Sequence, residues 1–438
     1  MADKLGLGTF ITDQSELTTS GLDIFSVPPV DSVLKEGRSV YYYPTTSITN
    51  AGPYEFHVTR DPESFIHLPM TRLEGCVEIQ KEDGSAFAAT DKISVVNLFP
   101  QSLFKQVECQ LNGTEVCDLS TPTYAYKSFL ETHLTYSESA KNTHLECSMY
   151  KKDDSGKEEN IDLTNKGAEA RATKAIGNKV YFSNIIHSDF FQSEKYLIPN
   201  TDLHLKFIRN DDTFSLLGPK VIKYKIIVHS LRLLVRKIKV DNSIQQTIEN
   251  QLASTPAIYN ITRSNIRTFQ IPSGTSSLDI PNVIQGNLPR SIHIGFVATD
   301  AFNGGQEKNP FYFNHNAINN FNIKINGVPV CPTPFQPNFA TGNYIREYRW
   351  FLDNLGIHHE NESNGISMEE YKNNSCIWNF DLTPDLCNSF HLHETKSGSV
   401  DVTFGFSTNT TKALTMIVYA CYNSSIAIDV DRNVKVLS

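Results

Sequence analysis

VECQLNGTEVC runs from Val107 to Cys117, and FNIKINGVPVC runs from Phe321 to Cys331, half a chain later. Aligned, they put Leu111 over Ile325, Asn112 over Asn326, Gly113 over Gly327, Val116 over Val330 and Cys117 over Cys331. Each alternates apolar and other residues and then meets Asn-Gly. Asn and Gly tolerate positive φ, so both stretches predict a strand feeding a tight hairpin turn. A single turn of this kind is commonplace. Two with matching flanks raise the question of duplication.

The surroundings of the two turns extend the match. A Pro-containing stretch and then a short helix follow each one, with FLETHL at 129–134 against FLDNLG at 351–356. Further on, DLHLKFI (202–208) corresponds to SVDVTFGF (399–406), and YKIIVHS, opening the 224–240 run, to LTMIVYACY (414–422). Upstream, RTFQI (267–271) and SLDI (277–280) pair with YEFHV (54–58) and FIHL (65–68), and RSIHIGFV (290–297) with CVEIQ (76–80). KISVVNLF (92–99) and KVYFSNI (179–185) read as additional strands. Elements recurring in one order predict an internal repeat.

No helices of 10–15 residues separate successive strands, which argues against a parallel βαβ sheet. Antiparallel sandwiches with long inserts between short strands fit a jelly roll. An immunoglobulin sandwich, at about 100 residues, is too small for two copies to fill this chain. The expected fold is all-β, a double jelly roll of two tandem eight-stranded sandwiches with short helices in loops. Its expected divisions are an N-terminal arm (1–35), a first roll (36–245), and a second roll with a C-terminal tail (246–438). Residues 151–178 read as an exposed polar insertion with a helical turn or two near 168–175, and 241–257 as a connector.

A length of 438 residues suits two domains of about 200. A formal charge of -9 provides no overall basic field of the kind a duplex binder uses. The 26 Phe and 18 Tyr suit sheets and interfaces. Eight cysteines without a C-x-x-C spacing resemble neither a disulfide framework nor a zinc knuckle, and free thiols are expected. The first residues, MADKLGLGTFITDQ, lack a signal-peptide pattern, and no window approaches a membrane span. Synthesis in a reducing compartment and a soluble product follow as expectations, with no transmembrane segment.

Few residues offer chemistry. His391 and His393 alternate onto one face of a possible strand, and His358-His359-Glu360 lies in a polar loop, but no recognised metal motif supports them. Nucleophile elbows and phosphate loops are lacking. Asp153-Asp154 and Glu158-Glu159 read as solvated acids rather than a glycosidase pair. The densest cation cluster is Arg232, Arg236, Lys237 and Lys239, which suits either a strand with a basic edge or an inner face toward packaged nucleic acid. Phe302, Phe311, Tyr312, Phe313 and Trp350, among asparagines and prolines, are candidate interface or plug aromatics. No catalytic or metal residue, no cofactor and no enzymatic activity are expected.

Five segments carry a family resemblance. DIFSVPPV (23–30), HSDFFQSEKYLIPN (187–200), AFNGGQEKNPFYFNH (301–315), QPNFATGNYIREY (336–348) and DLTPDL (381–386) resemble the double jelly-roll major capsid proteins of Polinton/Maverick-like elements and adintovirus-like viruses, and related host-encoded proteins of invertebrate genomes. The resemblance implies a homotrimer forming a pseudo-hexagonal capsomer, in contact with neighbouring capsomers, penton and other minor capsid proteins. It implies an icosahedral shell around double-stranded DNA with weak or no direct DNA contact. It also implies a place in the virion capsid, after synthesis in the host cytoplasm and assembly there or in the nucleus. Residues 1–35 and the tail DVDRNVKVLS (429–438) are the segments it implies for tying neighbours. A bicupin-like metal enzyme and a two-domain carbohydrate-binding protein are the competing readings.

Overall fold

A computed structural model describes residues 30–88, 91–117, 121–357, 360–386 and 393–437. The first roll contains β1 (Leu34–Tyr42), β2 (Tyr54–Val58), β3 (Phe65–Lys81), β4 (Ser94–Val95), β5 (Phe104–Leu111) and β6 (Thr114–Glu115). It continues with β7 (Lys179–Ile185), β8 (Leu203–Arg209), β9 (Leu216–Leu217) and β10 (Tyr224–Val240). The second contains β11 (Ala257–Ile271), β12 (Ser277–Asn287), β13 (Ser291–Ala298), β14 (Ile318–Ile325) and β15 (Val328–Pro329). It closes with β16 (Ile377–Asp381), β17 (Ser397–Phe406), β18 (Leu414–Ile428) and β19 (Val434–Leu437).

Strand order is the same in both. The first roll packs β1-β10-β3-β7 against β2-β8-β5-β6, and the second packs β11-β18-β13-β16 against β12-β17-β14-β15. All named strand pairs are antiparallel. The short pair β4–β9 lies outside the first sandwich, and β19 adds to β18. The fold is an all-β double jelly roll.

Alternation builds the cores. β8 buries every second residue, sending Leu203, Leu205 and Phe207 inward. Phe207 meets Phe56 edge-on at 5.7 Å in the first core. In the second, Phe321 of β14 stacks on Trp378 of β16 at 4.3 Å and so joins the two sheets.

Both Asn-Gly turns have the expected positive φ: 48° and 82° at Asn112-Gly113, 51° and 79° at Asn326-Gly327. They are also anchored alike. Asn112 exchanges two hydrogen bonds with Asp202, backbone N–H to carbonyl (2.9 Å) and side-chain oxygen from the Asp202 N–H (2.8 Å). Asn326 does the same with Ser399, at 2.9 Å in each case.

Several expectations need correction. RTFQI and SLDI are the counterparts of β1 and β2, and FIHL and CVEIQ are a single strand, β3, opposite RSIHIGFV in β13. KISVVNLF pairs only at Ser94–Val95, because Leu98 turns left-handed (φ 51°) and Pro100 opens a short helix. Leu34 and Lys35 belong to β1, while the rest of the proposed arm up to residue 29 lies outside the described residues. The proposed boundary at 245/246 falls inside a helix, Asn242–Leu252.

The insertion at 151–178 is not a solvated loop. Its Lys166–Ala175 helix buries Arg171, which donates to the carbonyls of Val95 (2.9 Å) and Lys151 (2.7 Å) and to Asp153 (2.8 Å). Glu158 is 3% exposed. A guanidinium with three acceptors tolerates burial, and that is how so polar a stretch enters the core.

Candidate assembly surface

A shell-building role depends on what joins the rolls and what they leave exposed. The seam between them is made from inserts. The Tyr124–Thr135 helix, which follows the first Asn-Gly turn, lies against the β13–β18 region and the 299–315 connection of the second roll. Phe129 stacks on Phe311 at 4.4 Å and 4°. Phe313 stands 6.1 Å from Phe129, Phe302 stacks on Tyr126 at 5.4 Å, and Phe214 meets Phe311 edge-on at 6.0 Å.

Phe311 is 4% exposed and Phe313 1%. These two are therefore seam plugs and not surface contacts between copies, nor can Phe311 form an open sugar platform. Phe311 and Phe313 pack as a core against the Tyr124–Thr135 helix because aromatic rings gain more from desolvation there than from solvent contact. Phe302, Tyr312 and Trp350 are half-buried, the last edge-packed on Phe335 at 5.5 Å.

Beside the rings runs a polar network that sequence reading missed. Lys127 is paired with Asp189, and Glu131 accepts from His187 (2.7 Å) and from the Tyr419 hydroxyl (3.1 Å) of the second roll. The Ser264 hydroxyl and backbone N–H donate to Asp189 at 2.8 and 3.2 Å. Burial raises the Glu131 carboxyl, but Lys127 and His187 outweigh it and hold the pKa below the usual value. Burial likewise opposes the Lys127 charge, and Asp189 and Glu131 raise its pKa well above the ordinary lysine range. Each charge is thus kept by a partner on the same seam. Residues far apart in the chain form this network, so no local motif announces it.

The Arg232–Lys239 run lies on β10. Arg232 bonds Glu74 at 2.8 Å and lies 4.2 Å over the Tyr41 ring. Lys237 is buried against Asp61 at 3.0 Å, and Lys239 meets Glu63 at 2.6 Å. Burial opposes ionisation of Asp61, yet the Lys237 hydrogen bond carries its pKa down to about 2. Arg236 reaches Ser39 at 3.5 Å and lies over Gly37, where a Cβ would meet its Nη2 at 2.4 Å. Three of the four cations are therefore matched by acids on neighbouring segments.

Exposed apolar residues are spread over both rolls, and several stand on or near the first sheet. Tyr181 is 75% exposed and Tyr43 66%, flanking a shallow groove of about 730 Å³ with Pro44, Ile48 and Arg232 on its walls. The second roll shows Ile345 and Val328, at 65% and 67%.

The tail does not hang free as far as Leu437. Val434–Leu437 is β19, paired with Ser425–Ile428 of β18. Seven cysteines are free thiols, and Cys387 lies outside the described residues. His358, His359 and His391 also lie outside them, and His393 is 3.0 Å from Asp385. Among the described residues no three His, Cys, Asp or Glu side chains group as a metal site, and no helix is long and apolar enough to cross a membrane.

No protein-family model matches the chain. An uncharacterized protein of Caenorhabditis elegans is 22% identical over 395 residues, covering 87% of this chain and 92% of its own. Among solved structures, the chain is similar to one in the Sputnik virophage, with TM-score 0.67 and 12% identity, covering 97% of this chain and 93% of that one. The mavirus major capsid protein is similar with TM-score 0.55 and 10% identity, over 96% of this chain and 93% of its own. The Faustovirus major capsid protein gives TM-score 0.55 and 8% identity, over 100% and 96%. At such identities the likeness is one of fold, and the fold extends over both rolls.

Proposed function

We propose that the chain is a major capsid protein: it trimerises into pseudo-hexagonal capsomers that tile an icosahedral shell around double-stranded DNA. One observation carries this reading. Two rolls of like strand order are held side by side by a buried seam, so each subunit presents two similar blocks joined as one piece. Three such pairs place six similar blocks around an axis, and one set of contacts then serves every copy. The whole-length likeness to viral capsid proteins supports the role, and the five segments quoted above favour the Polinton/Maverick-like and adintovirus-like lineage.

Tyr43 and Tyr181, which line one groove with Arg232, are the contacts we assign to a neighbouring copy, together with the half-buried Phe302, Tyr312 and Trp350. Exposed aromatics beside an arginine are the composition that interface centres favour. Penton and other minor capsid proteins are the remaining proposed partners. Because Glu74, Asp61 and Glu63 neutralise most of the β10 cations, that strand has little charge left for phosphates, in keeping with weak DNA contact. The virion is the proposed location.

Sedimentation of the purified chain tests the reading. A trimer is expected at micromolar concentration, and Tyr181→Asp with Tyr43→Asp should shift it to monomer while leaving its circular dichroism intact. A wild-type chain that stays monomeric under shell-assembly conditions would remove the proposal.

A further inference from the structure

The two rolls differ at the end where their Asn-Gly turns lie. β11 and β18 stay paired from Ala257↔Ile428 to Ile271↔Leu414, but β13 joins β18 only up to Ser291↔Cys421. The remainder is a ribbon, widened by β19, that leaves the second roll and closes the end of the first. Tyr259, Ile261, Ile426, Ile428 and Val434 pack into the first core. The Tyr259 hydroxyl accepts from the Ile198 N–H at 3.1 Å, and the Asn112 side chain donates to the Arg432 carbonyl at 2.7 Å.

Among the described residues, no such ribbon lies across the second roll. Its corresponding end is a groove of about 660 Å³ between the sheets. Arg263 and Arg267 enter it from β11, Arg290 from the start of β13 and Lys396 from the approach to β17. The three arginines are half-buried. Among the described residues, no carboxylate stands within ion-pair distance of Arg263, Arg267 or Lys396; Arg267 donates to the Val283 carbonyl at 3.0 Å. Two exposed acids stand by the rim, Glu394 and Asp385, the latter 3.0 Å from His393. Elsewhere in this acidic chain, several buried cations have acids: Arg171 has Asp153, Lys237 has Asp61 and Arg432 has Glu249, while Lys141 donates to the carbonyls of His133 and Asn364 at 2.7 Å.

Like charges gathered in a half-buried concavity repel one another and lose hydration, a cost that an entering anion reverses. Guanidinium forks match phosphate oxygens in pairs, whereas a single hydrated ion would leave most of this volume unused. Side-chain amides of Gln285, Asn287 and Asn423 and the apolar faces of Leu288 and Ile325 complete a wall able to hold the body of a small molecule. We propose that this groove binds a phosphate-bearing ligand of about nucleotide size, its phosphate on Arg263 and Arg267 and its phosphate edge reached by Lys396.

Calorimetric titration of the full chain tests this, with dATP in one arm and a short single-stranded oligodeoxynucleotide lacking terminal phosphate in the other. Saturable binding of dATP is expected, weakening as salt rises. The double variant Arg263→Gln/Arg267→Gln should lose affinity by about tenfold or more, and Lys396→Gln by about two- to fivefold, since charge-assisted contacts are the strong ones. Lys105→Gln, an exposed cation on β5 of the first roll, should bind as wild type. Binding of dATP alone assigns the phosphate to a free small molecule, and binding of both probes with the same variant losses assigns it to nucleic acid as well.

Absence of heat with both probes at millimolar concentration, or undiminished binding by the double variant, overturns the site. Lys396 is exposed, so its variant tests the groove even where the double variant folds poorly. The groove does not rest on shell assembly. Sedimentation of the same samples reports the oligomer separately, so failure of either idea leaves the other readable.

Discussion

The outer faces of the two β1-type sheets make the sharpest contrast between the rolls. In the first, β10 alternates, with Leu231, Leu233 and Val235 inward and Arg232 exposed outward. In the second, β18 is buried on both faces from Leu414 to Cys421, and β13 is buried from Ile292 to Val297. The same strand positions thus carry an alternating sequence in one roll and a mostly apolar, continuously buried one, broken by His293 and Thr415, in the other. The difference is the seam, where the Tyr124–Thr135 helix of the first roll packs against the second roll's sheet. Duplication copied the strand order, and docking of the copies then made their surfaces unequal.

The seam is where this contrast breaks most visibly. Phe311→Ala opens a cavity between Phe129, Tyr126 and Phe214, and should cost about 3–5 kcal/mol. With the seam intact, one calorimetric unfolding transition is expected. The variant should split it in two, with the second roll melting first because its sheet loses its cover. A single transition at an unchanged temperature would show that the halves do not depend on each other.

The turns sharpen the contrast at the opposite end. Asn112→Ala and Asn326→Ala each force alanine into the left-handed region, at about 1–2 kcal/mol. Asn112 also holds the Arg432 carbonyl of the second roll, so its variant should be worse by about 1 kcal/mol, read as a lower urea midpoint.

The smallest effect concerns the insertion that leans across from the first roll. Burial first, with the nearby Asp153 charge in support, raises the Glu158 pKa to about 7, and one carboxyl oxygen has no hydrogen-bond partner. A folded pKa above the unfolded one means that the protonated acid favours the fold. That contribution is complete below the ordinary carboxylate range and is lost as pH rises through about 7. Glu158→Gln should therefore melt like wild type at pH 5 and about 1–3 °C higher at pH 8.5, the gap opening across neutrality. A gap that is constant with pH would mean that Glu158 titrates normally.

The strands that follow a period of two, such as β5, β8 and β17, were legible in the sequence, as were the two turns and the helix after each. Those without that period were not. β1 is an edge strand with little of it buried, and β16 is short and buried on nearly every residue, so neither LKEGRSVYY nor IWNFD shows an in-out pattern. Of the site residues, the Asn-Gly pairs could be placed from sequence, because a turn is a local matter of φ. The aromatics could be named but not located: Phe311 and Tyr312 are adjacent, and one is plugged into the seam while the other is half-exposed. The cationic groove gave no local signal, since Arg263, Arg290 and Lys396 are widely separated along the chain.

What the sequence determined alone is the repeated plan, because alternation and turn chemistry act between residues a few positions apart. What only tertiary structure decided is which face of each copy became interior. Lys127 meets Asp189, Tyr419 reaches Glu131, and the β11–β18 ribbon packs into the core of the first roll. Burial and charge pairing depend on distances in space, and two nearly equal halves can share every local rule while differing in all of those distances.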